Sequence, residues 1–296
     1  EYDRAVRVHE HLLARADLST ADRQRAQHGL ALDFLKAGLL DRAEDALRKL
    51  EGSPYEGQAR LARLAIYERS REWPQAAQVA EMLERSGEAN FSVRQAHYRC
   101  EQAREAFSKG DLDDALTLLQ DTVRDIPQAP RARILLGQLL LTRQQAPQCL
   151  QVLRPLFEQA DPTAPLAAVT LAKAAQACGQ EALARQLLQG FYDRQASLDV
   201  LEALVSLGGP GAAETRQPFL QHLQKNASLL AASRWLAAAP AQEAVPPAVQ
   251  KALDTAARPL ARYRCAACGF EAKEHFWHCP GCQAWDSYPP RRVEEL

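Results

Sequence analysis

The feature that most constrains this chain is a small residue that recurs at nearly constant intervals, each time just after a short polar turn. Ala43, Ala76, Ala115, Cys149 and Ala184 fill the slot, at spacings of 33, 39, 34 and 35 residues. The turns ahead of it read Ala37-Gly38-Leu39-Leu40-Asp41-Arg42, Glu72-Trp73-Pro74-Gln75, Lys109-Gly110-Asp111-Leu112-Asp113-Asp114, Gln144-Gln145-Ala146-Pro147 and Gly179-Gln180-Glu181. Apolar residues flank each turn at helical spacing: Leu30, Ala31 and Phe34 precede Gly38, and Leu47 and Leu50 follow Ala43. Ile134, Leu136 and Gly137 stand in the same relation to Cys149. A small side chain where two antiparallel helices cross lets their backbones approach, and a glycine in the turn supplies the left-handed conformation needed there. Pro127 then stops a second helix. Such a hairpin cannot bury its apolar face alone, so neighbouring hairpins must stack.

A helix-turn-helix unit of this period resembles the tetratricopeptide repeat. The expected fold is all-α: a tetratricopeptide-repeat superhelix with a concave groove, followed by a small C-terminal four-cysteine module. Residues 1–207 are assigned to repeats, 208–257 to degenerate helical repeats and a linker, and 258–296 to the metal-binding module. Tyr2-Asp3-Arg4-Ala5, continued by Val8 and Leu12, reads as the start of a second helix with no first helix before it. The first repeat is therefore expected to be truncated, with the natural protein extending upstream of Glu1. Further on, Gly208-Gly209-Pro210-Gly211 marks a break. Helical stretches follow at 216–224 and 227–238, and a connecting helix at 248–257 lies among Pro240, Pro246, Pro247 and Pro259.

The C-terminal module declares itself by spacing. Cys265-Ala266-Ala267-Cys268-Gly269-Phe270 is answered by Trp277-His278-Cys279-Pro280-Gly281-Cys282, two Cys-x-x-Cys knuckles. Cys265, Cys268, Cys279 and Cys282 are the predicted metal ligands, because four thiolates close a tetrahedral shell and leave no open position for catalysis. That sulfur set admits zinc or iron. Gly269 and Pro280-Gly281 are expected to make the tight turns. His275 and His278 are left to supporting or surface roles. Tyr263, Phe270, Phe276, Trp277, Trp285 and Tyr288 crowd the same short segment, more aromatic surface than so small a module can cover, so some of it is expected to dock against the repeats.

Other chemistry is excluded or unsupported. With 36 basic and 37 acidic residues the formal charge is −1, against the basic excess that duplex binding requires. The apolar stretch 134–141 is too short to span a bilayer and is flanked by Arg133 and Arg143. The N-terminal residues lack the pattern of a signal peptide. The remaining cysteines, Cys100, Cys149 and Cys178, are scattered, as in proteins of a reducing compartment. Glycine-rich phosphate loops, zinc-protease and nucleophile-elbow motifs do not occur, and the chain reads as a non-enzyme. Asp113-Asp114 and Glu294-Glu295 read as solvated carboxylate pairs. The first helices of the repeats carry Arg60, Arg99 and Arg133, candidate contacts for an acidic or polar partner segment.

Repeats followed by Cys-x-x-Cys-Gly-Phe and Trp-x-Cys-Pro-x-Cys make the chain resemble the lipopolysaccharide assembly protein B family of Gram-negative bacteria. The likeness extends to Asp41-Arg42-Ala43-Glu44-Asp45, Asp111-Leu112-Asp113 and Tyr263-Arg264-Cys265. The resemblance implies a rubredoxin-like domain whose ligands map onto the four cysteines. It also implies an N-terminal transmembrane anchor, absent from this chain, that places the repeats on the cytoplasmic side of the inner membrane. The implied role is that of an adaptor. It promotes degradation of the deacetylase that commits to lipid A synthesis, by a membrane-bound AAA+ protease, alongside other lipopolysaccharide assembly proteins. Homodimer formation is left open. Two other classes stay in view: a rubredoxin-type electron carrier, against which the short gap of ten residues between the knuckles counts, and a peptide-binding co-chaperone scaffold.

Overall fold

The computed structural model describes residues 2–87, 89–208 and 212–296. Glu1 and the Gly209-Pro210-Gly211 part of the expected break lie outside the described residues. The chain divides into two compact units, Glu1–Gln128 and Ala129–Leu296. The first holds α1 (Tyr2–Leu13), α2 (Thr20–Ala37), α3 (Leu40–Arg48), α4 (Glu56–Ser70), α5 (Trp73–Arg85), α6 (Ser92–Lys109) and α7 (Leu112–Asp125). The second holds α8 (Pro130–Thr142), α9 (Ala146–Glu158), α10 (Ala168–Cys178), α11 (Glu181–Arg194), α12 (Leu198–Ser206), α13 (Ala212–Lys225), α14 (Leu229–Ala237) and α15 (Pro247–Ala257). It ends in a two-stranded hairpin, β1 (Tyr263–Arg264) against β2 (Glu271–Ala272).

The repeats are one backbone device used five times. Ala43, Ala76, Ala115, Cys149 and Ala184 are each the fourth residue of the second helix of a pair, and none exceeds 1% exposure. Five positions ahead of each stands a residue in the left-handed region: Gly38 (φ 76°), Arg71 (60°), Gly110 (90°), Gln144 (62°) and Gly179 (68°). The next amide then reaches back to the preceding helix: Leu39 to Phe34 O, Glu72 to Tyr67 O, Asp111 to Ala106 O, Gln145 to Leu140 O and Gln180 to Ala175 O, all at 2.8–2.9 Å. These bonds satisfy carbonyls that the helix end would otherwise orphan, and they fold the chain back so that the small residue meets the first helix. Three of the five turns carry the glycine that sequence alone can point to. Arg71 and Gln144 adopt the same conformation without one, at the steric cost a Cβ brings there.

Packing follows the same logic. Leu30, Ala31, Phe34, Ala43, Ala46, Leu47 and Leu50 form one buried cluster with Ala59 and Ile66 of the next pair, so the α2–α3 hairpin is completed by its successor. Gly137 allows α8 to lie on α9: a Cβ there would stand 2.7 Å from Leu153 Cδ2 and 2.8 Å from its Cγ. A polar tie between pairs runs through the half-buried Glu68, which accepts from both Tyr98 Oη and Arg94. No helix among the described residues is long and apolar enough to cross a membrane.

Candidate metal centre

The two knuckles are built to one backbone plan. In the first, Cys265 N donates to Phe270 O and Gly269 N donates to Cys265 O, both at 2.9 Å. In the second, Cys279 N donates to Ala284 O and Gln283 N donates to Cys279 O, again at 2.9 Å. Each is flanked by a cross-strand pair, Arg264 with Glu271 in the first and His278 with Trp285 in the second. The left-handed residue of the plan is Gly269 (φ 77°) in the first knuckle and Gln283 (φ 62°) in the second. Pro280 and Gly281 lie in the second turn, as expected, and Gly281 faces the first knuckle, where a Cβ would sit 3.4 Å from Phe270 and 3.5 Å from Cys268 Sγ.

These turns bring the four sulfurs of Cys265, Cys268, Cys279 and Cys282 within 4.8 Å of one another. Cys265 Sγ lies 3.8 Å from Cys282 Sγ, and Cys268 Sγ lies 3.7 Å from Cys279 Sγ. A disulfide needs about 2.05 Å, so neither pair is bonded. A tetrahedral ion with metal–sulfur bonds of about 2.3 Å puts its ligands about 3.8 Å apart, and the two crossed pairs have that edge. The cluster could therefore bind one metal ion. Each knuckle supplies one buried cysteine, Cys265 or Cys279, and one exposed one, Cys268 or Cys282.

The surroundings favour negative charge on the buried side. Burial acts to raise the Cys265 thiol, but the Ser287 hydroxyl at 3.3 Å and the amides of Cys268 and Ala267 outweigh it and bring the thiol down to about 6. Cys268 goes the other way: the Phe270 amide acts to lower it, yet burial and the crowding sulfurs push it up to about 12. Once the first thiolate has formed, further ionisation in so small a cluster is opposed by like charge, and a cation removes that opposition.

Aromatic packing seats the module on its own unit. Tyr263, Cys265, Cys279 and Tyr288 form a buried cluster joined by Phe276 and by Leu166, which lies in the short turn Ala164–Ala167 before α10. Arg131, buried on α8, stands 6.0 Å over the Trp277 ring. His275 Nε2 donates to Tyr288 O (3.0 Å), the ring packs edge-on to Tyr263 and Trp277, and burial pushes its pKa down.

A second tie is polar, and nothing in the local sequence signals it. The Tyr263 hydroxyl donates to Asp199 Oδ2 at 3.1 Å, and Arg292 meets the same carboxylate with two nitrogens, at 2.6 and 3.2 Å. Arg292 also lies 4.5 Å over the Tyr263 ring and donates to Ala261 O. Glu294 and Glu295, expected to be solvated, are instead caps. Glu295 accepts from Leu198 N at 2.7 Å, the first amide of α12, and Glu294 accepts from the Ser228 hydroxyl and from Leu229 N and Leu230 N at the start of α14. Unsatisfied helix amides attract carboxylates more strongly than water does when the end is covered. Asp113 and Asp114 do sit in the exposed first turn of α7.

A family model described as a rubredoxin metal binding domain matches residues 263–289, and a tetratricopeptide repeat model matches residues 106–160. Lipopolysaccharide assembly protein B of Escherichia coli (strain K12) is 28% identical over 302 residues, covering 99% of this chain and 77% of the relative. The Haemophilus influenzae protein of the same name is 24% identical over 311 residues, covering 100% and 76%. Over nearly its whole length the chain is similar to lipopolysaccharide assembly protein B. Among solved structures, a tetratricopeptide repeat-containing protein from Cytophaga hutchinsonii covers 81% of this chain and 91% of its own at 14% identity, with a TM-score of 0.43. Arg60 and Arg99 lie in the first unit. Arg60 pairs with Glu51 and Glu56, and Arg99 with Asp125. Arg133 is half-buried on α8 in the second.

Proposed function

We propose that the protein is a non-enzymatic adaptor that restrains lipopolysaccharide synthesis by promoting proteolysis of the committing lipid A deacetylase by a membrane-bound AAA+ protease. The observation that carries this reading is the alignment of repeats and rubredoxin-like module together, over 99% of the chain, with lipopolysaccharide assembly protein B of Escherichia coli. The repeats supply surfaces for protein partners, with Arg60, Arg99 and Arg133 as contacts, each within its own unit. In the natural protein an N-terminal anchor would hold them at the cytoplasmic face of the inner membrane. Cys265, Cys268, Cys279 and Cys282 hold one zinc or iron ion, which supplies a structural crosslink. The test is the lifetime of the deacetylase in cells. It should lengthen when the gene is removed and shorten again on return of the wild type, and co-purification from native membranes should recover protease and deacetylase. A deacetylase lifetime indifferent to the protein overturns the reading.

One observation favours a second reading. The exposed positions of Cys268 and Cys282 suit a rubredoxin-type electron carrier. A visible absorption spectrum that bleaches reversibly on reduction would establish it, and a colourless, zinc-loaded protein would end it.

A further inference from the structure

The last residues of the chain lie beyond the stretch matched by the rubredoxin family model, which stops at 289, yet they make many polar ties within the second unit. The tail grips the turn that leads into β1 and the first knuckle. Val293 N donates to Arg262 O at 2.7 Å, Glu294 N to Leu260 O at 3.2 Å, and Arg292 Nη1 to Ala261 O at 2.7 Å. Three consecutive carbonyls just ahead of Tyr263-Arg264-Cys265 are thus held by three consecutive tail residues. The tail is itself held at its other side. Arg292 N donates to Glu295 Oε2, Glu295 Oε1 takes the Leu198 amide, and Glu294 takes Ser228, Leu229 and Leu230. Asp199 closes the circuit by accepting from both Arg292 and the Tyr263 hydroxyl.

The path from the end of the second knuckle to the tail also passes over the buried sulfur. Ala266 N donates to Ser287 O at 2.7 Å, and the Ser287 hydroxyl reaches Cys265 Sγ. The Tyr288 hydroxyl donates to Phe270 O inside the first knuckle. The backbone ahead of Cys265 is therefore held through the tail to the N-termini of α12 and α14, and the backbone after it is held by Ser287 and Tyr288.

We propose that residues 292–295 are a latch that sets how slowly the metal leaves the four-cysteine site, and through which metal occupancy governs the order of the first turns of α12 and α14. The inference rests on the metal reading above. Its physical basis is linkage: if the latch lowers the free energy of the metal-bound arrangement more than that of the empty one, the metal must in turn stabilise the latched helix ends by the same factor. Charge-assisted bonds such as the Arg292–Asp199 pair are strong enough to matter, because both groups are largely withdrawn from water. Arg292, Glu294 and Glu295 are positioning residues, since none of them touches a ligand sulfur.

The test uses the full chain loaded with zinc alone, with metal content measured first and release timed against a chromophoric chelator. Arg292→Lys, Glu294→Gln and Glu295→Gln should each bind one equivalent and release it roughly tenfold faster, within the usual range for coupled sites. Arg85→Lys in the first unit should release it at the wild-type rate. Metal removal from the wild type should speed hydrogen exchange at the amides of Leu198, Leu229 and Leu230, a readout that does not depend on any variant folding. A full equivalent bound, with release rates unchanged across the three variants and exchange at those amides indifferent to metal, overturns the latch. Failure of the wild type to bind an equivalent overturns the metal reading instead.

Discussion

The repeats and the metal module face the same shortage, too little core in each short segment, and meet it by different physics. The α2–α3 repeat borrows its missing core from the next hairpin, whose Ala59 and Ile66 complete the cluster around Leu47. The module has four buried residues in its cluster, two of them cysteines, and offers four clustered sulfurs that could hold an ion. Burial of apolar surface is local, graded and insensitive to chelators. A thiolate site is all-or-none, and structural zinc contributes ~10–16 kcal/mol in small domains. The two regions should therefore respond oppositely to the same insults.

The largest expected effect separates them outright. Chelation, or Cys279→Ser, should abolish the near-UV circular dichroism of Tyr263, Trp277 and Tyr288, while far-UV helix content falls only slightly. Retention of the aromatic signal in metal-free protein would place the module with the repeats as a self-sufficient core.

That contrast also explains what the sequence discloses. The period, the small slot at Ala43, Ala76, Ala115, Cys149 and Ala184, and the two knuckles are all set by neighbours within a few residues, and each is legible from spacing. The left-handed turns at Arg71, Gln144 and Gln283 are not, because a glycine is the only reliable sign of that conformation and these positions lack one. Their conformation is imposed by the hydrogen bonds on either side. The Asp199–Arg292–Tyr263 tie joins residues up to 93 apart in sequence, and no local pattern records it. Glu294-Glu295 reads as solvated because a carboxylate pair looks the same in sequence whether it faces water or a helix end.

A smaller effect tests the repeats' close approach. Gly137→Ala would drive a methyl into the fully buried Leu153. Overpacking of this kind costs about 1–3 kcal/mol, offset by up to about 1 kcal/mol of helix propensity. A denaturant melt should show a net loss of about 1–2 kcal/mol, largely recovered in Gly137→Ala combined with Leu153→Val. Simple additivity of the two substitutions would show that the contact does not limit the approach of α8 to α9.

Smaller still is the asymmetry between the knuckles. A Cβ added at Gly269 meets nothing within 4 Å, so Gly269→Ala should lose only the conformational term, about 1 kcal/mol. Gln283→Gly should gain a few tenths of a kcal/mol, by relief of the same term less the added chain entropy. Apparent zinc affinity of the two variants should move in opposite directions. Equal losses in both would mean that the Gln283 side chain contributes a contact that outweighs its backbone cost.

The smallest effect is one of pH. His222, buried on α13 with Nδ1 2.6 Å from the Tyr192 hydroxyl, has its pKa pushed down by burial, partly opposed by Glu294. In the window just below the ordinary imidazole value of about 6.5, the unfolded chain binds a proton that the folded one does not, so stability falls as pH falls. His222→Gln should flatten the dependence of the melting temperature on pH between about 6.5 and 5. An unchanged slope would assign it to other groups.

The most direct test of the division between packed repeats and ion-built module is amide hydrogen exchange over the full chain, with zinc bound and after its removal. Loss of metal should remove protection from 263–289, at Cys265, Gly269, Cys279 and Gln283 above all, and leave the interior amides of α2, α4 and α6 exchanging at their original rates. Persistent protection in the metal-free knuckles, or deprotection of those three helices to the same extent, would contradict it.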